Sequence, residues 1–218
     1  MPTSSANKAN RRYFHEAYRT GQHGWEVEQP SPFAVKCLRR LARMIPGGRC
    51  LDIGCGEGRH SIAAAKLGFK VTGMDLEPLA LKKARQFARK QGATGIRFLV
   101  ADVLRLPFGD ASFDIVIDYG CLHHQRKSDW PAYRANLLRV LKPGGYYVLE
   151  VFSPRFRLFA GSRPWHIAYG AYRRRFTRQE IIDVFETTFR FLEIVEQKGK
   201  DGGFWHTLMR RRRQPGLP

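Results

Sequence analysis

Four aspartates close four short apolar runs: Asp52 in Cys50-Leu51-Asp52-Ile53, Asp75 in Val71-Thr72-Gly73-Met74-Asp75, Asp102 in Ala101-Asp102-Val103, and Asp118 after Phe113-Asp114-Ile115-Val116-Ile117. Directly after the first run comes Gly54-Cys55-Gly56-Glu57-Gly58. Glycines at alternate positions let the backbone turn sharply and come close to a ligand without side chains in the way. A dinucleotide fingerprint would need glycine where Arg59 stands, and no Gly-Lys-Ser/Thr follows as in a phosphate-binding P-loop. A carboxylate beside such a turn repels a pyrophosphate and suits an ammonium or sulfonium. A second carboxylate, at the end of the next strand, can accept from both hydroxyls of a ribose, and a third sits where an adenine amino group could donate. Together they point to recognition of a cationic adenosyl compound.

A second group of reactive types is Tyr119-Gly120-Cys121-Leu122-His123-His124. His123 is the candidate base, with His124 beside it as a candidate acceptor contact. The pair lacks a third ligand at metal-binding spacing, so no metal is expected. Cys121 follows glycine rather than the proline common before the nucleophile of pyrimidine-carbon methylation, and no Asp/Asn-Pro-Pro-Phe/Tyr segment is present. Cys121 therefore reads as a small packing residue. Between 153 and 176, Phe156, Phe159, Pro164, Trp165, His166, Tyr169 and Tyr172 alternate with arginines. That mixture suits stacking on flat or anionic compounds, and Trp165, His166 and Tyr169 are its candidate substrate contacts.

The elements that must hold these residues alternate in type. Strands are predicted at 49–53, 70–74, 96–100, 113–118 and 145–152, with helices at 61–67, 79–90 and 130–141, the last stopped by Lys142-Pro143-Gly144-Gly145. Alternation of this kind makes a parallel sheet, which binds ligands at the carboxyl ends of its strands. Further on, 177–185 reads as a helix, and 190–197 and 204–210 as strands joined by a hairpin loop at 199–203, an antiparallel edge. Residues 34–44 have helical spacing, and 8–25 reads as a helix followed by a loop. The expected fold class is α/β: a Rossmann-like doubly wound sheet of seven strands, mostly parallel with an antiparallel C-terminal hairpin strand.

This constellation resembles the class I S-adenosylmethionine-dependent methyltransferases over residues 49–152. The resemblance implies S-adenosyl-L-methionine as cofactor, with Asp52, Gly54, Cys55 and Gly56 around its methionyl part. It implies that Asp75 holds the ribose and that Asp102 with the Val103 backbone reads the adenine, while Leu76, Asp118 and Tyr119 complete the crevice. The aromatic start, Tyr13-Phe14-His15-Glu16-Ala17-Tyr18 and then Gly24-Trp25, is similar to the N-terminal lid of small-molecule members of the thiopurine and tellurite type. Tyr18 and Trp25 would then face the sulfonium, although the proline usual before that tryptophan is Gly24 here. One domain is expected over 1–218: a lid at 1–32, a cofactor-binding core at 33–152, an acceptor cap at 153–176, and a C-terminal helix and hairpin at 177–218.

A chain of 218 residues with 43% hydrophobic content can bury one sizeable core. No apolar run approaches the roughly 20 residues of a membrane span, and the polar start lacks the centre of a secretion signal, so the expected location is the cytoplasm. The four cysteines lack metal spacing and read as free thiols. A formal net charge of +19 favours anionic partners. The expected activity is methyl transfer to a small molecule, a thiol or other soft nucleophile; the alternative is an RNA or protein methyltransferase using the basic surface.

Overall fold

The computed structural model describes residues 5–21, 23, 29–156, 163–168, 170–197 and 203–213. Its elements are α1 (Ser5–Thr20), α2 (Pro32–Met44), β1 (Arg49–Ile53), α3 (Arg59–Lys66), β2 (Lys70–Asp75), α4 (Pro78–Lys90), β3 (Ile96–Val100), β4 (Phe113–Tyr119), α5 (Trp130–Val140), β5 (Leu141–Phe152), β6 (Trp165–Ala168), β7 (Ala171–Arg174), α6 (Arg178–Phe185), β8 (Phe189–Glu196) and β9 (Phe204–Arg211). Seven strands form one sheet in the order β3-β2-β1-β4-β5-β9-β8. β9 runs antiparallel to both neighbours, while the first five are parallel. The predicted mostly parallel seven-stranded sheet is therefore present.

Local chemistry explains why the helices start where they do. Ser31 caps α2 by accepting from Ala34 N, and Pro32 occupies the first turn, where a missing N–H costs nothing. α4 repeats the device with Glu77 and Pro78, and Thr177 with Glu180 forms a capping box on α6. Each face of the sheet then buries its own apolar layer. β4 shows the alternation: Ile115 and Ile117 pack under α2 with Leu38 and Leu41, whereas Val116 packs under α5 with Tyr133 and Leu137.

Several boundaries differ from the sequence pattern. α3 begins at Arg59, two residues early, because Gly58 in the left-handed conformation (φ +82°) starts it. The expected stop at 142–145 does not separate helix from strand; it is absorbed into β5, whose register on β4 jumps from Phe113↔Leu141 to Ile115↔Tyr146. A separate antiparallel ribbon, β6–β7, occupies the segment read as cap, which periodicity did not reveal because its strands are four residues each. The loop 199–203 falls almost wholly outside the described residues; beside it, Gln197 N donates to Phe204 O at 2.8 Å. All four cysteines are free, and no described helix is long and apolar enough to cross a membrane.

Candidate active site

The turn after β1 is held open by its glycines. Gly54 (φ +66°) and Gly56 (φ +53°) are left-handed, and a Cβ on Gly54 would lie 3.0 Å from Cys121 Cβ, one on Gly56 3.1 Å from Tyr18 Oη. The turn is tied to β2 by Cys55 N donating to Met74 O at 2.8 Å. Asp75 fixes it from the side: its Oδ2 accepts from Gly56 N at 2.9 Å and its Oδ1 from Glu77 N at 3.0 Å. One carboxylate thus orients both the glycine turn and the entry to α4. Half-buried Leu76 lies between these two anchors.

The other three acids differ from one another. Asp52 is buried and accepts from Ser61 Oγ at 2.6 Å; burial pushes its carboxyl up to about 7 despite that bond. Asp102 accepts from Leu104 N at 2.9 Å and caps the short 3-10 turn Val103–Arg105, leaving Val103 buried behind it. Asp118 faces inward and corrects the expectation of a ligand contact. It accepts from Cys121 N at 2.6 Å, Leu122 N at 3.0 Å and Tyr147 Oη at 3.3 Å, and closely from Tyr133 Oη. Four donors saturate a carboxylate. Asp118 is the anchor of the loop that follows it, and burial raises its carboxyl to about 6. The tyrosine pair was missed by sequence reading because both residues look like ordinary core aromatics.

Tyr119 stacks on Phe204 at 5.4 Å, with the Arg59 guanidinium 4.8 Å from its ring centroid and His60 at 4.9 Å on the α3 side. Burial keeps the thiols of Cys55 and Cys121 protonated, far above their ordinary range. From above, α1 closes on the turn. Tyr18 is buried beside Gly56, with Lys83 Nζ 5.5 Å from its ring and His23 at 4.7 Å. Trp25, expected beside it, lies outside the described residues, as do Phe159 and Tyr169 of the cap.

His123 and His124 have separate roles. His123 is 3% exposed, stacked on Phe152 at 3.6 Å, with Phe156 stacked on the far side of Phe152 at 3.7 Å. Its Nδ1 has no hydrogen-bond partner among the described residues. Gly120 (φ +93°) makes room for it, since a Cβ there would meet His123 Nε2 at 3.3 Å. Burial and the neighbouring His124 and Arg173 hold this imidazole neutral, well below its usual range. His124 is not available as an acceptor contact through Nδ1, which donates to Tyr172 O at 2.8 Å. Its backbone carbonyl accepts from Asn10 Nδ2 at 2.9 Å, and Asn10 Oδ1 in turn accepts from Tyr172 N at 3.0 Å. His124 is a strut between α1, the loop and β7, and its pKa is pushed down to about 4 by burial.

Nothing in the sequence marked Asn10, which sits mid-helix. Nor was Arg173 singled out, although it donates to Tyr13 Oη at 2.5 Å and ties β7 to α1. Trp165 is exposed, its ring 6.3 Å from Tyr172 and 5.8 Å from the Arg163 guanidinium; His166 is half-buried on the same strand.

Comparison with known proteins places this geometry. Residues 50–145 match the model of a methyltransferase domain. The chain is similar to an uncharacterized methyltransferase of Schizosaccharomyces pombe, 32% identical over 122 residues that cover 54% of this chain and 83% of that one. It is similar also to the 2-heptyl-1-hydroxyquinolin-4(1H)-one methyltransferase of Mycobacteroides abscessus, 30% identical over 59% of this chain and 56% of that protein. The chain spans about half the length of the first curated relatives it matches. Among solved structures, the Burkholderia thailandensis 1,6-didemethyltoxoflavin-N1-methyltransferase, with its substrate and S-adenosylhomocysteine bound, shares the fold: TM-score 0.75 at 24% identity, over 97% of this chain and 92% of that one.

Proposed function

This chain belongs to the class I S-adenosylmethionine-dependent methyltransferase family, and we propose that it transfers a methyl group to a small-molecule acceptor carrying a thiol or another soft or acidic nucleophile. The residues fit the cofactor: a Cβ on Gly54 or Gly56 would fill the cradle, and the acids beside it favour a cation. Gly54, Cys55 and Gly56 would hold the methionyl part near Asp52, Asp75 the ribose, and Asp102 with Val103 the adenine. When bound, the cofactor supplies an electrophilic methyl group on sulfur.

The chain's own work is then positioning and exclusion of water. α1 seals the crevice through Tyr18, while the β6–β7 ribbon and the Phe152–Phe156 stack wall the acceptor space beside His123. Arg173 beside these neutral rings favours an acceptor that carries or develops negative charge. The observation that carries the reading is the packing of the imidazoles: His123 is buried and stacked on Phe152, and His124 Nδ1 donates to Tyr172 O. His123 is neutral and a poor proton acceptor, and His124 is committed to Tyr172. An acceptor at this site must therefore ionise without much help from a protein base. A thiol, with a pKa of about 8.5, supplies a few per cent of a strongly nucleophilic thiolate near neutrality and an acidic hydroxyl more, whereas a protonated amine or an aliphatic alcohol supplies far less. The relative named for 2-heptyl-1-hydroxyquinolin-4(1H)-one, a flat ring with an acidic hydroxyl, agrees with that class.

The test is turnover of methyl-labelled cofactor against matched sets of thiols, acidic hydroxyls, aliphatic alcohols and amines. Turnover should follow acceptor acidity, and the pH profile of kcat/KM should move with the acceptor's pKa. Equal turnover of aliphatic alcohols or amines would overturn the proposal.

A further inference from the structure

Part of the +19 charge lies where the crevice does not use it. Arg49 opens β1, Lys142 lies at the start of β5, Arg190 is second in β8, and Arg210 and Arg211 close β9, which runs antiparallel, with Arg212 and Arg213 following it; all lie at the edge of the sheet opposite the glycine turn. β4 spans seven residues at about 3.3 Å each, so this edge is roughly 20 Å from the crevice.

Two observations show that these cations are poorly neutralised. First, several arginines are satisfied by neutral carbonyls: Arg210 Nε donates to Gly144 O at 3.0 Å, Arg212 Nε to Glu186 O at 3.2 Å, and Arg211 Nη1 to Leu138 O at 2.5 Å. Those bonds fix the guanidinium planes and leave the charge uncompensated. Asp114 answers Lys142 at 2.7 Å, but Arg190, Arg210 and Arg213 have no carboxylate partner among the described residues. Second, like charges converge. Arg190 and Arg210 are directly opposite in the β8–β9 register, an arrangement that weakens a sheet. Arg210 Nη2 and Arg213 Nε lie 3.6 and 3.2 Å from one point above Gly144. An anion there turns repulsion into attraction.

We infer that this edge, centred on Arg190, Arg210 and Arg213, is a docking surface for the phosphate backbone of a nucleic acid, separate from the methyl-transfer crevice. Exposed guanidinium forks match phosphodiester oxygens in pairs. A membrane surface fits less well, because Phe113, Leu141 and Tyr146 are buried beneath the edge, and exposed Met44 at the end of α2 is a single apolar side chain beside several arginines.

The experiment is fluorescence anisotropy of the full chain with a labelled single-stranded RNA at several salt concentrations. Three to four phosphate contacts give a log–log slope of about −2 to −3, hence a loss of roughly thirtyfold between 50 and 200 mM salt. The double variant Arg190→Gln/Arg213→Gln removes side chains without hydrogen bonds among the described residues; it should shallow the slope by about 1.4, leave S-adenosylhomocysteine affinity unchanged, and keep the melting temperature at or above the parent's, since the Arg190–Arg210 repulsion is relieved. Salt-independent binding, binding retained by the variant, or binding to phosphatidylserine vesicles but not to RNA would each overturn the inference. So would methylation of the RNA that the double substitution abolishes, since the edge would then serve the acceptor site.

Discussion

The side of the crevice built on β1, β2 and β3 and the side built on α1, the loop after β4 and the β6–β7 ribbon are made in opposite ways. On the first side, joins are short in sequence: Asp75 reaches Gly56 N and Glu77 N, and Asp52 meets Ser61. On the second they are long, with Asn10 bridging 114 positions to His124 and 162 to Tyr172, and Arg173 reaching 160 positions back to Tyr13. The difference separates two tasks. A site made of strand ends and backbone is preserved as long as the sheet forms, while a site made of distant side chains can change its occupant without disturbing the first. That is how one fold serves many acceptors.

The comparison is most exposed at Asp75. Asp75→Asn places an amide donor against one of two backbone donors, and S-adenosylhomocysteine affinity should fall by about 100-fold in calorimetry, within the range for hydrogen bonds to a charged group. A loss under about threefold would mean that the strand-end side is not the rigid half. Next is the hidden anchor shared by the two sides. Tyr133→Phe strips a donor from buried Asp118 and should lower stability by about 1–3 kcal/mol in urea denaturation. Tyr147→Phe, at 3.3 Å, should cost less.

Proton linkage sharpens the contrast further. The Asp52 carboxyl is raised to about 7, so below that pH the free protein holds a proton that a cationic ligand disfavours. Binding releases it, and cofactor affinity should climb by about tenfold from pH 6 to pH 8 and then level; Asp52→Asn should flatten the profile. The smallest effect belongs to the long-range side. Asn10→Ala should raise the acceptor KM by about fivefold, or about 1 kcal/mol, with S-adenosylhomocysteine affinity within twofold of the parent. A larger loss for the cofactor than for the acceptor would erase the distinction between the sides.

The same division explains what could be read in advance. The sheet was legible because β1 to β5 are apolar runs punctuated by Asp and Gly, and Gly54-Cys55-Gly56 is a local signature that needs no tertiary partner. Asp118 was misassigned because its position at a strand end matches that of Asp75, and only packing reveals Tyr133 and Tyr147 around it. His124 was misassigned because the strut to Asn10 and Tyr172 joins residues with no shared local pattern. The β6–β7 ribbon escaped notice for a simpler reason: strands of four residues carry too little alternation to stand out.

Wedging β9 between β5 and β8 also dictates an order of assembly. During synthesis β8 leaves the ribosome first, and its neighbour in the finished sheet does not yet exist. Until Phe204–Arg211 emerges, β5 offers an open flank and β8 is an orphan that could pair with another nascent copy. Glu193 and Glu196 discourage two such β8 strands from pairing side by side in parallel register, where like charges would face each other, so acids at the outer strand of the finished sheet guard the unfinished one.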